Sequence, residues 1–150
     1  MSDSSAVKVL FQVDENVETL WAERVGPDRY RIDNSPFWAY GVSWQDVVEA
    51  QPDPDGMLRF CRVVEKSGHR TLRIFLKPPA DQSENSQSIL DGLNAIGATY
   101  EGMNPSYLSV DLAPDVPLEP IVEYLVASGQ QWEYADPPYE VLFPNAHAGP

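Results

Sequence analysis

The chain has almost no cysteine and little histidine. Its single cysteine is Cys61, and its histidines are His69 and His147. One cysteine cannot form an internal disulfide, which is typical of a protein in a reducing compartment. Zinc sites use about four Cys, His or carboxylate ligands, and these three residues have no spacing of that kind. We therefore expect no metal and no other cofactor, and we expect the cytoplasm of a bacterium-like cell as the location.

Basic residues are missing from the second half. Residues 1–77 hold all ten Lys and Arg with twelve acidic residues, whereas residues 78–150 hold eleven acidic residues and no Lys or Arg. Such a surface repels phosphate backbones and anionic membranes, so we expect neither nucleic acid nor membrane as a partner. A basic protein would be attracted and steered towards it. The alternative is that the acidity only keeps the protein in solution.

Long apolar runs are missing too. No run approaches the roughly 18 apolar residues of a membrane helix. The first residues lack the basic segment of a signal peptide, so we expect none. Hydrophobic residues still make up 43% of the chain and aromatic residues 11%. This is enough to bury a core, and disorder is not expected.

Residues 6–77 have the pattern of short strands separated by tight turns. The first strand has apolar side chains at every second position: Val7, Val9, Phe11 and Val13. Gly26-Pro27 and Asp55-Gly56 mark turns between later strands. Because no helical period interrupts them, we predict a small β-barrel or curved β-sheet over residues 1–69.

The pattern changes near residue 78. Apolar residues recur at helical spacing twice, once ahead of Gly97 and once ahead of Gly129, and a strand pattern flanks each helix. The order strand, helix, strand, strand, helix, strand predicts a ferredoxin-like βαββαβ unit over residues 70–139, with both helices on one face of the sheet. Residues 140–150 are expected to be an extended tail. The predicted fold class is therefore α+β.

The two helical units share a short internal similarity. In each, a strand runs into proline, a helix ends at glycine, and an aromatic residue followed by glutamate comes soon after. These pairs are Tyr100-Glu101 and Trp132-Glu133. Two glutamates could form a glycosidase dyad, but matching positions in a repeated strand explain them more simply.

Residues 32–46, IDNSPFWAYGVSWQD, mix aromatic side chains with turn residues. This stretch could be a binding surface, an active-site loop or the cover of a small core. We expect Phe37 and Trp44 to pack into the core. Trp38 and Tyr40, next to them in a turn, are the candidates for a binding surface.

Few residues offer catalytic chemistry. Ser43, Asp46 and His69 could be written as a triad, but Ser43 lacks the second glycine of a nucleophile elbow, and a turn role for these residues is favoured. We expect His69 to bond to the backbone of its turn, and Cys61 to be a small core residue. The sequence contains no phosphate-binding glycine loop.

Several motifs occur in the order found in a known bacterial family. They are Leu-Trp-Ala-Glu at 20–23, Asp-Asn-x-Pro-Phe at 33–37, Gly41 ahead of Asp-Val-Val at 46–48, and Ser-Gly-His at 67–69. With these motifs the chain resembles the bacterial domain-of-unknown-function 4265 family over roughly residues 7–135. The resemblance implies no activity and no cofactor, and it assigns no catalytic residue.

We therefore predict a non-enzymatic, acidic protein-binding module, such as an immunity or antitoxin-type inhibitor of a basic toxin. One alternative is a ferredoxin-like dimerisation or regulatory module, in which a homo-oligomer forms through the open sheet face. Another is a small-molecule site or enzyme that uses the 32–46 stretch, with a pocket between the two predicted units that is lined by Trp38, Tyr40, Trp44, Asp46 and His69. The candidate partner-binding residues are Trp38, Tyr40, Asp46, His69, Glu101 and Glu133.

Overall fold

A computed structural model describes residues 6–145, which fold into nine strands, three α-helices and a short 3₁₀-helix at Ala80–Gln82. The strands are β1 (Ala6–Val13), β2 (Asn16–Gly26), β3 (Arg29–Ile32), β4 (Val47–Pro52), β5 (Leu58–Glu65), β6 (Arg70–Phe75), β7 (Thr99–Gly102), β8 (Tyr107–Leu112) and β9 (Gln131–Asp136). The helices are α1 (Glu84–Ala95), α2 (Leu118–Ser128) and α3 (Tyr139–Leu142). Among these residues, no helix is long and apolar enough to span a membrane.

The first five strands close into a barrel. Each pairs antiparallel with the next, and β1 closes the barrel by pairing parallel with β5 at Val9 and Leu58. Asp14 and Asp28 turn the chain between strands with positive φ angles of 55° and 57°, a conformation that Asp tolerates better than most residues. The alternating apolar side chains fill the interior, so the predicted barrel is confirmed.

Strand β5 departs from simple alternation at Cys61. Glu49 pairs with Arg62 and the next residue, Ala50, pairs with Phe60, so Cys61 is the extra residue of a β-bulge. The bulge lets Phe60 and Val63 both pack on the barrel core. Cys61 is left exposed, so the prediction that it is a core residue is wrong.

The remaining strands form a separate antiparallel sheet in the order β7-β8-β6-β9. Helices α1 and α2 pack on one of its faces. The core between them is apolar and buried, and it includes Leu72, Ile74, Leu93, Leu108, Val110, Leu112, Ile121 and Leu125. The α+β class is thus confirmed.

Both long helices end just ahead of the glycines that the sequence indicates, Gly97 and Gly129. Ser83 caps α1 by accepting a hydrogen bond from the Ser86 N–H at 3.1 Å, as Ser commonly does. Gly129 ends α2 in the left-handed conformation, with φ 75°. The predicted extended tail is wrong at its start, because residues 139–142 form the short helix α3. Residues 146–150 of that tail, including His147, lie outside the described residues.

Candidate functional site

All six residues of strand β8 are buried, although only one face of its sheet carries helices. We call the barrel and the helix-backed sheet the two lobes. The other face of the sheet is covered by residues 33–46, here called the interlobe segment, which joins β3 to β4. Side chains of the sheet donate hydrogen bonds to its carbonyls: Ser109 to Pro36 at 2.8 Å, Tyr107 to Phe37, and Arg73 to Ala39. The predicted open sheet face is therefore not open at this place.

The barrel holds the same segment through one carboxylate. Glu18, on β2, is 8% exposed. It accepts hydrogen bonds from the backbone N–H groups of Phe37, Trp38 and Ala39 at 2.7, 3.0 and 2.9 Å. The N–H groups of the segment thus donate to the barrel, and its carbonyls accept from the sheet. These bonds satisfy the hydrogen-bonding groups of a buried backbone that is part of neither the barrel nor the sheet.

The two glutamates of the internal similarity also hold this segment. Glu101 lies on edge strand β7 and accepts from the Ser35 N–H at 3.2 Å. Glu133 lies on the opposite edge strand, β9, and accepts from the Tyr40 hydroxyl at 2.8 Å. Two strands lie between them, which at about 4.8 Å per strand step separates the two backbones by roughly 14 Å. A glycosidase dyad needs carboxylates about 5–10 Å apart, so this pairing is not supported.

A cluster of ion pairs and hydrogen bonds connects the end of the interlobe segment to the helix-backed sheet. Lys66 Nζ lies 2.6 Å from Asp46 and 2.5 Å from Asp136. The Ser43 hydroxyl donates to Asp136 at 2.5 Å and lies 2.7 Å from the Thr71 hydroxyl. Asp46 does not fit the prediction of a partner contact, because its carboxylate is wholly buried here.

His69 bonds to a carboxylate and not to backbone carbonyls, which corrects the sequence prediction. Its Nδ1 lies 2.9 Å from Asp111, and its ring packs edge-on against Trp44. Burial raises the pKa of Asp111 above its ordinary value of 3.8, against the opposing effect of the His69 hydrogen bond. Ser43 and His69 thus have different carboxylate partners, and the suggested triad does not form.

The core predictions for the aromatic stretch need correction. Phe37 and Trp44 are only half-buried, and the residues of the segment that pack into the barrel core are Ala39 and Val42. Trp44 donates its indole N–H to Asp33 at 3.2 Å. The small side chains of the segment are thus its buried ones, whereas Trp38 and Tyr40 are exposed.

The exposed rings at one edge form a continuous surface. Trp38, Tyr40 and Phe75 are 43%, 52% and 41% exposed. An open groove of about 690 Å³ continues from Tyr40 along β9 to α3, and it is lined by Tyr40, Trp132, Glu133, Tyr134, Pro138, Tyr139 and Glu140. We call the groove lined by these seven residues the aromatic groove. Contiguous exposed apolar surface of this kind marks interaction sites.

The groove opens into a smaller cavity of about 170 Å³ over the sheet. It is lined by Trp38, Tyr40, Arg73, Phe75, Tyr107, Gln131, Trp132 and Glu133. Arg73 is 1% exposed, and its guanidinium lies 4.9 Å from the centre of the Tyr40 ring and 3.2 Å from Glu133. A buried guanidinium thus fixes the cavity wall through an ion pair and a cation–π contact.

The tyrosines of this surface are neutral hydroxyl donors. Burial raises the pKa of Tyr107 to about 12. Burial and the hydrogen-bonded Glu133 carboxylate raise the pKa of Tyr40 above its ordinary value of 10.0. Both phenols therefore keep their protons at physiological pH, as their bonds to an acceptor carbonyl and a carboxylate require.

The lobe that carries the groove has an acidic surface. Arg73 is buried, and the Arg70 guanidinium donates to the carbonyls of Ala113 and Val116, so Lys77 is the exposed base among residues 70–145. Eight acidic residues are exposed there: Asp81, Glu84, Asp91, Glu101, Asp115, Glu119, Glu123 and Glu140. In the described part of the chain, no three Cys, His, Asp or Glu side chains are grouped as a metal site.

The structure brings only some of the predicted site residues together. Trp38, Tyr40 and Glu133 meet at the cavity, whereas Asp46 and His69 lie in the polar junction and Glu101 on the far edge of the sheet. The predicted small-molecule pocket therefore does not assemble as proposed. Sequence reasoning missed Arg73, Phe75 and Tyr107. Their alternation with core residues in β6 and β8 indicated a second face, but not what covers it.

Fold and site together define a two-part α+β protein: a small barrel and a helix-backed sheet, joined by a buried segment beside an aromatic groove. The chain belongs to the family described as Domain of unknown function (DUF4265), whose sequence model matches residues 18–134. This confirms the family resemblance seen in the sequence. No curated protein matches the chain.

One solved structure is similar in fold. It is a crystal structure of a hypothetical protein from Neisseria gonorrhoeae, with 19% sequence identity and a TM-score of 0.66. The match covers 93% of this chain and 99% of that one. At this identity the likeness extends to the fold alone, which two distant sequences share over nearly their whole length.

Proposed function

We propose that the chain is a non-enzymatic protein-binding module that captures a basic segment of another protein in its aromatic groove. The observation that carries the proposal is the continuous exposed aromatic surface on the lobe with the acidic exterior. Tyr and Trp dominate the binding energy of many interfaces, because they bury large areas with little loss of side-chain entropy. Acidic residues around such a surface would select basic partners.

The charge distribution supports this choice of partner. Two carboxylates, Glu133 and Glu140, line the groove, and Lys77 is the exposed base of the described residues beyond 70. Opposite charges raise association rates, and the effect falls as salt screens it. We propose on the same ground that neither nucleic acid nor a membrane is the partner.

A basic toxin neutralised by this chain is the sharpest form of the proposal. Blocking a basic protein needs binding and exclusion, with no chemistry. In support, the Ser43 hydroxyl, the nucleophile of the triad considered in the sequence, is wholly buried and bonded to Asp136 and Thr71. We expect a neighbouring gene to encode a basic toxic protein. Co-expression of this chain should suppress the toxicity of that protein.

The binding step can be tested with the purified full chain and a labelled peptide of arginine and leucine residues. By fluorescence anisotropy we expect binding at low ionic strength that weakens steeply as salt is added. Trp38→Ala should weaken binding by about tenfold, since an aromatic anchor of an interface contributes about 1–2 kcal/mol or more, and Trp38 lines the cavity into which the groove opens. Trp21→Ala is the matched control, because Trp21 is 45% exposed on the barrel. No binding at low salt, or binding that salt leaves unchanged, would contradict the proposal.

For the second lobe we propose the ferredoxin-like arrangement. Its support is the element order β6, α1, β7, β8, α2, β9, the strand order β7-β8-β6-β9, and antiparallel pairing throughout. We likewise propose residues 1–69 and 70–139 as the two structural units. Because the interlobe segment covers the sheet face, dimerisation through that face has no structural support.

A further inference from the structure

We infer that the cavity beside Trp38 holds one guanidinium group, supplied by an arginine of the bound basic segment. The group would stack on Trp38 and Phe75 and pair with the Glu133 carboxylate. This inference rests on the proposed function, since it names the side chain that the groove would select. Three properties of the cavity support it: its rings, its charges and its size.

The rings offer flat surfaces for a planar cation. Phe75 stacks on Tyr107 with ring centres 4.4 Å apart, and Trp38 lies 5.0 Å from Tyr107 on a tilted plane. Tyr107 is 4% exposed, so its ring is buried where it contacts the other two. A guanidinium stacks on aromatic faces and presents donors at its edge, which suits a cavity with ring walls and a carboxylate.

The local charge leaves room for a second cation. Arg73 is a single positive charge, and Glu133 pairs with it at 3.2 Å. Asp14 and Glu18 are near enough to raise the pKa values of Tyr40 and Tyr107, respectively. Two further carboxylates thus lie near the tyrosines that line the cavity. Glu133 keeps a side-chain exposure of 44%, so it can accept from a ligand as well as from Arg73.

The size selects one side chain and not a larger ligand. The cavity volume is about 170 Å³, well below the roughly 300–1,000 Å³ of pockets that bury drug-sized molecules. It is continuous with the groove through Tyr40, Trp132 and Glu133. A peptide in the groove can thus place one side-chain end in the cavity while its backbone stays outside.

The test uses the nitrogen-labelled full chain and the four indole N–H signals of its tryptophans in a two-dimensional NMR spectrum. The probe is N-acetyl-arginine methylamide, and its matched neutral control is the citrulline analogue. We expect the arginine probe to shift the Trp38 and Trp132 signals saturably and to leave those of Trp21 and Trp44 unchanged. The citrulline probe should bind about tenfold more weakly, as loss of a cation–π contact and an ion pair requires.

Two variants sharpen this result. Glu133→Gln should weaken arginine binding several-fold, whereas Glu140→Gln, in the groove but outside the cavity, should not.

Arg73 Nε is buried without a hydrogen-bond partner among the described residues, so an acidic probe, N-acetyl-glutamate methylamide, is included. If it shifts Trp38 and Trp132 as strongly as the arginine probe does, the cavity is an anion site and the inference is wrong. Equal binding of citrulline and arginine, or no shift with either probe, would also overturn it. If the arginine-leucine peptide still binds in a salt-dependent manner in these cases, the proposed function survives; if it does not bind, both fail.

Discussion

Glu18 shows how one side chain can organise a segment that is distant in sequence. It faces the barrel interior as a buried carboxylate, and its three hydrogen bonds all come from backbone N–H groups about twenty residues later. In the sequence it is an ordinary polar residue in an alternating strand. Backbone donors carry no residue identity, so no pattern in the side chains could indicate this role.

We predict that Glu18→Ala lowers the free energy of unfolding by about 3 kcal/mol. The substitution leaves three N–H groups without their acceptor, and each charge-assisted bond is worth about 1–3 kcal/mol in such a setting. Urea denaturation measures the change. Glu23→Ala on the same strand is the control, because the Glu23 side chain is 51% exposed in its pair with Arg31 and should matter by less than about 1 kcal/mol. Equal losses in the two variants would contradict a special role for Glu18.

Tyr107 gives a prediction about alkaline pH. Its pKa is raised from 10.0 to about 12, chiefly by burial. The folded state therefore holds this proton more tightly than the unfolded chain does. The resulting stabilisation is fully present below pH 10 and is lost as the pH rises from 10 towards 12.

In a spectrophotometric titration of the folded chain, Tyr107→Phe should remove the tyrosinate that forms at the highest pH. The variant should also show a shallower fall of stability between those pH values. A Tyr107 that ionises together with the other tyrosines would show that the hydroxyl is not sequestered.

Among the elements, β8 separates what the sequence predicts from what it does not. Leu108, Val110 and Leu112 follow strand alternation, and they pack under the helices as predicted. The intervening residues, Tyr107, Ser109 and Asp111, would ordinarily face water. They are buried instead, because the interlobe segment contacts Tyr107 and Ser109 and His69 bonds to Asp111. Alternation identifies two faces of a strand, but it cannot indicate what a distant part of the chain places on the second one.

The contact between helices α1 and α2 depends on a glycine. A Cβ atom at Gly92 would lie 2.0 Å from the Tyr124 hydroxyl oxygen and 2.6 Å from the ring carbon that bears it. That hydroxyl donates to the Ile89 carbonyl at 2.9 Å. We predict that Gly92→Ala destabilises the protein by about 1–2 kcal/mol, since overpacking outweighs the roughly 1 kcal/mol gain in helix propensity.

The effect of Gly92→Ala on stability should change sign when the Tyr124 ring is removed. In a Tyr124→Ala background, Gly92→Ala should stabilise the chain by about 0.5–1 kcal/mol, because only the propensity gain remains. Thermal unfolding of the four chains of this double-mutant cycle gives the coupling. Additive effects would mean that the helices shift apart to accept the methyl group, and that the close contact is not required.

At the scale of the whole molecule, the fold is held by segments that cross between its parts. The family match begins at residue 18, yet β1 lies before it and pairs with both β2 and β5 to close the barrel. The sequence indicated each part of the fold from local periodicity. The joint between the parts depends on long-range polar contacts, such as Ser109 to Pro36, which have no local periodicity to reveal them.

Substitution of Lys66 tests the contact between the two lobes, since Lys66 bridges Asp46 of the interlobe segment and Asp136 at the end of β9. Lys66→Met would leave two nearly buried carboxylates facing each other, and we predict a loss of about 2–3 kcal/mol in the free energy of unfolding. Lys77→Met is the control, because Lys77 is exposed. Adding Asp136→Asn to Lys66→Met should recover part of the loss by removing one of the two like charges. If the single and double variants are equally unstable, the cluster contributes through packing, and charge pairing is not what joins the barrel to the sheet.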